Sequence, residues 1–426
     1  MQKTPRLLVI SHNCFSQSGS NGRTLSNFFQ DWPKENLAQF YIHNEISDSP
    51  VCNNYFRVLD TEALKAFLTG AKMGTKICQN DINVYRNKEI FLKSVYNIQN
   101  KRSSFKYFVR NLIWNSNRWK SQKYIKWLND FSPQIVLLQA GDYEFMLKIA
   151  LDIAKQRKIP LVIYNSEDYY FKDRRSLSLF YNFYRHKFKK RFENLIAYAS
   201  HTIYICDMLQ ETYNKRFIHE STVIMTSTDV TPYKKAFINQ KFVISYFGNI
   251  SLGRHEPLIE IANALQKIDK HLKLDIYGKI ANEEVKATFE ACKGINYINF
   301  ISYTEVLRVI QKSDLLVHVE NFSKFYQWDL RHAFSTKIAD CLASGKALFV
   351  YGPESIASIQ YLKNNNAACV VTDFSKLNEM LTKLISNEDY RNLLIHNAIT
   401  LAKINHDRNN NIQRFHEIIK NVLLCL

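Results

Sequence analysis

Lys337 and Asp340 stand three residues apart in the segment RHAFSTKIADCLASGKALFVYGP, residues 331–353. The pattern there is a helix entry, a short helix, a glycine stop and a buried strand. Ser335 or Thr336 is placed to cap the helix, Gly345 falls where a left-handed residue closes one, and ALFVY is a continuous apolar run suited to a parallel sheet. A cation in the first helical turn is opposed by the macrodipole, so local helix physics does not account for Lys337, whereas a bound anion would. Asp340 shares its face and could accept two hydrogen bonds from the vicinal hydroxyls of a ribose while backbone N–H groups and Lys337 hold a diphosphate. The chemistry indicated is nucleoside diphosphate binding; the alternative is an exposed ion pair worth about 0.3 kcal/mol.

The surrounding elements read as strands alternating with helices. RLLVIS (6–11) is a buried strand, followed by the loop HNCFSQSGSNGRT, which contains Gly19, Ser20, Asn21 and Gly22, and by a helix beginning near Thr24. The two glycines let the backbone approach a ligand or simply turn the chain. PQIVLLQAG, EFMLKIALDIAKQR and IPLVIYNSED form a strand–helix–strand unit, continued by TIYIC, DMLQETYNKRF and STVIMTSTDV. In the second half, FVISYFGNISLGRHEPLIEIANALQKI gives a strand, a glycine turn and a helix, and KLDIYGK, INYINFI and DLLVHVEN are further strands. Between 50 and 130 few strands are evident, and the stretch after 355 carries apolar residues at helical spacing.

STKIADCLASGKALFVYGP resembles the nucleotide-sugar segment of family-4 glycosyltransferases, the group 1 glycosyl transferases. That family has the GT-B architecture, an α/β fold of two facing Rossmann-like doubly wound domains with an interdomain cleft. Two acids eight residues apart contact the donor there, the second standing five residues before the glycine. Asp340 matches the second, and His332 stands in place of the first. In the family's glycine turn an arginine follows the glycine and a lysine comes five residues later, both on the diphosphate; here Asn249 follows Gly248 and Arg254 takes the lysine position. The resemblance implies a retaining glycosyltransferase with Arg254 and Lys337 stabilising the departing diphosphate. Gly248, Asn249, Glu320, Arg331, His332, Ser335, Thr336 and Asp340 would line the donor site, and Gly19–Gly22 the acceptor side. Glu167 and Asp168 lie in a loop that enters the family's active site, or form a solvated acidic turn. Domains are expected at 1–235 and 236–405, with 406–426 a helix returning to the first. No metal or other cofactor is expected, and a saccharide or lipid-linked acceptor is.

With 426 residues and 46% hydrophobic content, the chain suffices for two domains of about 200 residues. Eight cysteines are scattered without a C-x-x-C pair, which suits free thiols. The first apolar run is too short for a signal peptide and none approaches the roughly 18 residues of a spanning helix, so a cytoplasmic location is expected. The net charge of +18 divides as 35 − 20 = +15 up to residue 240 and 22 − 19 = +3 beyond it. Residues 101–131 set Phe105, Phe108, Leu112, Trp119, Ile125 and Leu128 among eight basic residues and one acid, and residues 174–199 include Arg185, Lys187, Lys189, Lys190 and Arg191. This composition suits interfacial helices on an anionic membrane surface, at the inner membrane face, or helices with apolar faces turned to a core. Nucleic-acid binding lacks any recognisable module in the sequence; a sugar-nucleotide epimerase or an inactive relative of the fold stays open because of His332 and Asn249.

Overall fold

The computed structural model describes residues 4–17, 19–77, 104–173, 176–233, 242–280 and 282–424. They form two compact units: residues 1–224 with 412–426, and residues 225–411.

In the first unit the strands are β1 (Leu7–Ile10), β2 (Leu37–Tyr41), β3 (Tyr55–Arg57), β4 (Thr75–Ile77), β5 (Ile135–Gln139), β6 (Leu161–Asn165), β7 (His201–Tyr204) and β8 (Ser221–Val223). They form one sheet in the order β4-β3-β2-β1-β5-β6-β7-β8, parallel except for the antiparallel edge strand β4. β1, β2, β5 and β6 are buried at every position, which is why β1, β5 and β6 read as largely apolar runs. In the second unit β9 (Ile244–Phe247), β10 (Leu274–Tyr277), β11 (Ile295–Tyr297), β12 (Leu315–Val319), β13 (Ala347–Tyr351) and β14 (Cys369–Val371) form a parallel sheet, order β11-β10-β9-β12-β13-β14. Each sheet reverses its direction of strand addition once, between β1 and β5 and between β9 and β12, the place where doubly wound folds bind ligands beyond the strands' carboxyl ends.

Several expectations need correction. β3 and β4 lie between 50 and 130, where few strands are evident in the sequence, β2 precedes that region and is not among the expected strands, and β14 interrupts the stretch whose apolar residues stand at helical spacing. The first helix runs Ser20–Asn27 instead of beginning near Thr24, so Ser20, Asn21 and Gly22 are helical and not loop. The chain enters the second unit at Met225, ahead of the expected 235. Residues 225–233 are tied within that unit: the amide of Asn411 donates to Met225 O at 3.1 Å, His406 Nδ1 to Thr226 O at 2.8 Å, and Thr228 Oγ1 to Asp340 Oδ1 at 2.6 Å. Residues 412–426 count with the first unit, where Phe415 stacks on Phe28 with ring centroids 4.9 Å apart.

The helices Ser104–Asn115, Gln122–Phe131 and Leu179–Tyr198 carry the basic, aromatic segments. Residues 101–103 and 174–175 lie outside the described residues. Trp119 and Leu128 are core residues, and Gln122–Phe131 turns Tyr124, Trp127, Leu128 and Phe131 inward, so that helix presents no broad apolar face to solvent. Among the described residues no helix is long and apolar enough to cross a membrane.

Candidate functional site

The second unit's switch point is built by the end of β9. Side chains alternate along a strand, so Ile244, Tyr246 and position 248 share one face. Gly248 sits at φ +140°, and a Cβ there would come within 3.1 Å of the Lys337 ammonium, so glycine answers both the backbone conformation and the close approach. Lys337 opens the helix Lys337–Ala343. Its Nζ donates to the carbonyl of Phe247 at 2.8 Å and lies 4.0 Å from the centre of the Tyr246 ring. Among the described residues no carboxylate forms an ion pair with it. Burial pushes its pKa down to about 7, an effect deepened by Arg254 and partly offset by Cys341 and Glu320. An ammonium so placed gains most from an anion. The expected exposed pair with Asp340 does not form.

Arg254, just before the helix His255–Ile268, is fully engaged with Glu320 at the end of β12. Its Nε and Nη2 donate to the two carboxylate oxygens at 3.0 and 2.9 Å, and Glu320 is 2% exposed. The pair outweighs the cost of burial and holds the guanidinium pKa above its ordinary value. His318, also buried, is kept well below the usual imidazole range by burial, Lys337 and Arg254. Asn249 shapes the turn: its side-chain oxygen accepts from the backbone N–H and hydroxyl of Ser251, at 2.9 and 2.7 Å.

The remaining donor-side residues depart from expectation. Asp340 is 2% exposed and accepts from the hydroxyls of Thr228 at 2.6 Å and Tyr303 at 3.2 Å, so the carboxylate expected to receive ribose hydroxyls is already engaged inside the fold. His332, expected at the sugar, is buried, and its Nδ1 accepts from Arg331 Nε at 3.2 Å; the Arg331 guanidinium lies over Trp328 at 4.2 Å. Thr336 occupies the helix N-cap position but makes no side-chain capping bond, and Ser335 contributes its carbonyl to the N–H of Ile338 at 3.1 Å. Gly345, at φ +74°, closes the helix as expected.

In the first unit, Gly22 is packed against Cys14 and Ser16, while Gly19 precedes the helix and donates to Ser16 Oγ at 2.8 Å. Of the acid pair after β6, Glu167 is exposed. Asp168 is buried and accepts from the N–H of Phe171 at 2.9 Å and the hydroxyl of Tyr213 at 3.1 Å. The Tyr213 hydroxyl in turn accepts from the N–H groups of Tyr169 and Tyr170, at 3.1 and 2.9 Å. Asp168 therefore holds the loop's shape instead of presenting a reactive carboxylate.

Two residues of the second unit escaped the sequence reading, Tyr246 and Tyr303. Strand alternation before the glycine points to Tyr246; nothing local points to Tyr303, which meets Asp340 only in the fold. Among the described residues no group of three or more His, Cys, Asp or Glu side chains could hold a metal ion.

No protein-family model matches the sequence, and no curated protein does. Solved structures match over nearly the whole length. A sucrose-phosphate synthase from Thermosynechococcus elongatus is 10% identical with a TM-score of 0.64, covering 99% of this chain and 100% of that one. HepE of Anabaena, in complex with UDP, is 10% identical with a TM-score of 0.62, covering 98% and 100%. WaaG, a glycosyltransferase involved in lipopolysaccharide biosynthesis, is 12% identical with a TM-score of 0.58, covering 97% and 99%. The chain shares the GT-B fold with these structures.

Proposed function

We propose that the chain is a glycosyltransferase that moves a hexose-like sugar from a nucleoside diphosphate sugar to a saccharide or lipid-linked acceptor, with retention of anomeric configuration, in cell-surface polysaccharide or glycolipid biosynthesis. The observation that carries the reading is Lys337: an enclosed ammonium at the switch point of the second sheet, against a glycine turn, with no ion-pair partner among the described residues. As the glycosidic bond breaks, negative charge grows on the leaving diphosphate, and a fixed cation in a desolvated position favours that state over the ground state. Arg254 supplies a second cation, a guanidinium oriented by Glu320 and partly neutralised by it, so Lys337 carries the larger share. Asp340 acts as a positioning residue that fastens Thr228 and Tyr303. The acceptor is taken by the first unit, in the cytoplasm.

Support for a uridine nucleotide as the first probe comes from HepE, whose structures contain UDP and UDP-glucose. A lipopolysaccharide outer core galactosyltransferase, WaaB, is a further structural neighbour, with a TM-score of 0.55. The test is a thermal-shift screen with UDP, GDP and ADP, followed by nucleotide release from the matching sugars. A ligand at 100 times its Kd stabilises by about 2.7 kcal/mol, which is readily seen. No shift with any of the three and no release of nucleotide would refute the reading; epimer formation without transfer would replace it by an epimerase.

A further inference from the structure

On the helix Leu179–Tyr198, Tyr184, Phe188, Phe192, Leu195 and Ile196 face the core. Phe180, Phe183, Lys187 and Lys190 follow one another at intervals of three, four and three residues, so they line a single stripe on the opposite side. Phe180 is 46% exposed and Phe183 57%, and Leu179 beside them is 83% exposed. The neighbouring helix Ser104–Asn115 extends the patch: Phe105, itself 53% exposed, meets the Phe180 ring at 5.3 Å between centroids, and Phe108 meets Phe180 at 5.5 Å and Phe183 at 5.9 Å. Contiguous exposed aromatic surface on a soluble unit marks a contact with something apolar.

The cations around this patch fall into two groups. Arg185 and Lys189 are both bound to Asp173, and Arg191 Nε donates to the buried Glu144 at 2.9 Å. These three belong to the fold and not to a free basic surface, which corrects the five-residue cluster expected from the sequence. Lys106, Lys187 and Lys190 have no ion pair among the described residues, and Lys106 and Lys190 are exposed. The unneutralised charge therefore sits on the two helices that carry the exposed rings.

We infer that this face, Phe105, Phe180, Phe183 and Leu179 bordered by Lys106, Lys187 and Lys190, docks on an anionic phospholipid bilayer. Rings inserted at headgroup level recover the cost of their exposure, and lysines on the same stripe reach the phosphates of the surface. The charge is complementary to a membrane and to no apolar partner, while the rings add what a purely electrostatic contact with nucleic acid would not use. Docking is independent of which sugar is transferred.

The test is co-sedimentation of the full chain, without nucleotide, with phosphatidylcholine vesicles and with mixed phosphatidylcholine and phosphatidylglycerol vesicles, at low and high salt. Binding is expected only to the mixed vesicles and should fall with salt. Lys187→Gln and Lys190→Gln should each weaken partitioning by about fivefold, the equivalent of about 1 kcal/mol at an anionic surface. Phe180→Ser with Phe183→Ser should abolish binding even at low salt, with an unchanged unfolding midpoint showing that the fold survives. Equal binding to both vesicle types, or binding unaffected by either pair of substitutions, overturns the inference. So would loss, in these variants, of self-association or of oligonucleotide binding in place of vesicle binding.

Discussion

Lysine plays opposite parts in the two units. Lys337 is enclosed between a carbonyl and an aromatic face with no ion-pair partner among the described residues, whereas on the helix Leu179–Tyr198 the cations nearest the core are cancelled by Asp173 and Glu144 and the uncancelled ones point outward. An uncompensated buried cation is costly and persists where it serves a ligand; an uncompensated exposed one costs little and tells of a partner only when its neighbours are also out of place. Exposed phenylalanines supply that second anomaly. The contrast teaches that charge alone, which made the first half of the chain conspicuous, is less informative than where charge is left unanswered.

The comparison breaks most severely at the answered cation. Glu320→Ala leaves Arg254 buried and unpaired, and should cost about 3–5 kcal/mol of stability, measured by denaturant unfolding. Replacing Lys337 should act the other way on the fold. Lys337→Met removes a desolvated ammonium while filling the same space, so the unfolding midpoint should not fall, yet turnover should drop by about 10²-fold or more, mainly in kcat. A loss of stability together with unchanged turnover would place Lys337 among ordinary structural lysines. Smaller still, Thr228→Val should cost about 1–3 kcal/mol by leaving a bond to the buried Asp340 unmade, and weaken nucleotide binding only through the fold.

Much of this was legible beforehand, for a physical reason. Strands buried on both faces read as continuous apolar runs, so RLLVIS, PQIVLLQ and ALFVY announced themselves. β3 and β4 are three-residue strands at one edge of the sheet, too short for any periodicity, and were missed. Lys337 stood out because it contradicts the helix dipole. What neutralises Arg254 did not, since Glu320 lies 66 residues away, nor did the bond between Thr228 and Asp340 across 112 residues. Amphipathic spacing identified two faces on each basic helix but could not say that Trp119 and Leu128 turn inward while Phe105 and Phe180 stay outside.

The same enclosure of Lys337 predicts a pH dependence of stability. Lys337 has its pKa lowered from 10.5 to about 7 in the folded chain, so between these values the unfolded chain binds more protons and stability rises with pH across that window. Below about 7 the ammonium is charged in both states and the dependence vanishes. Urea unfolding of the natural chain and of Lys337→Met should differ in slope against pH only within the window.

The same proton provides the most direct test of the central claim, that Lys337 is a cation kept for a diphosphate. A bound diphosphate restores the charged form, so at pH 8 binding should draw a proton from the buffer. Calorimetry of UDP binding in buffers of different ionisation enthalpy should show net proton uptake for the natural chain, and weaker binding with no uptake for Lys337→Met. UDP binding with the same affinity and the same proton balance in both proteins would contradict the account.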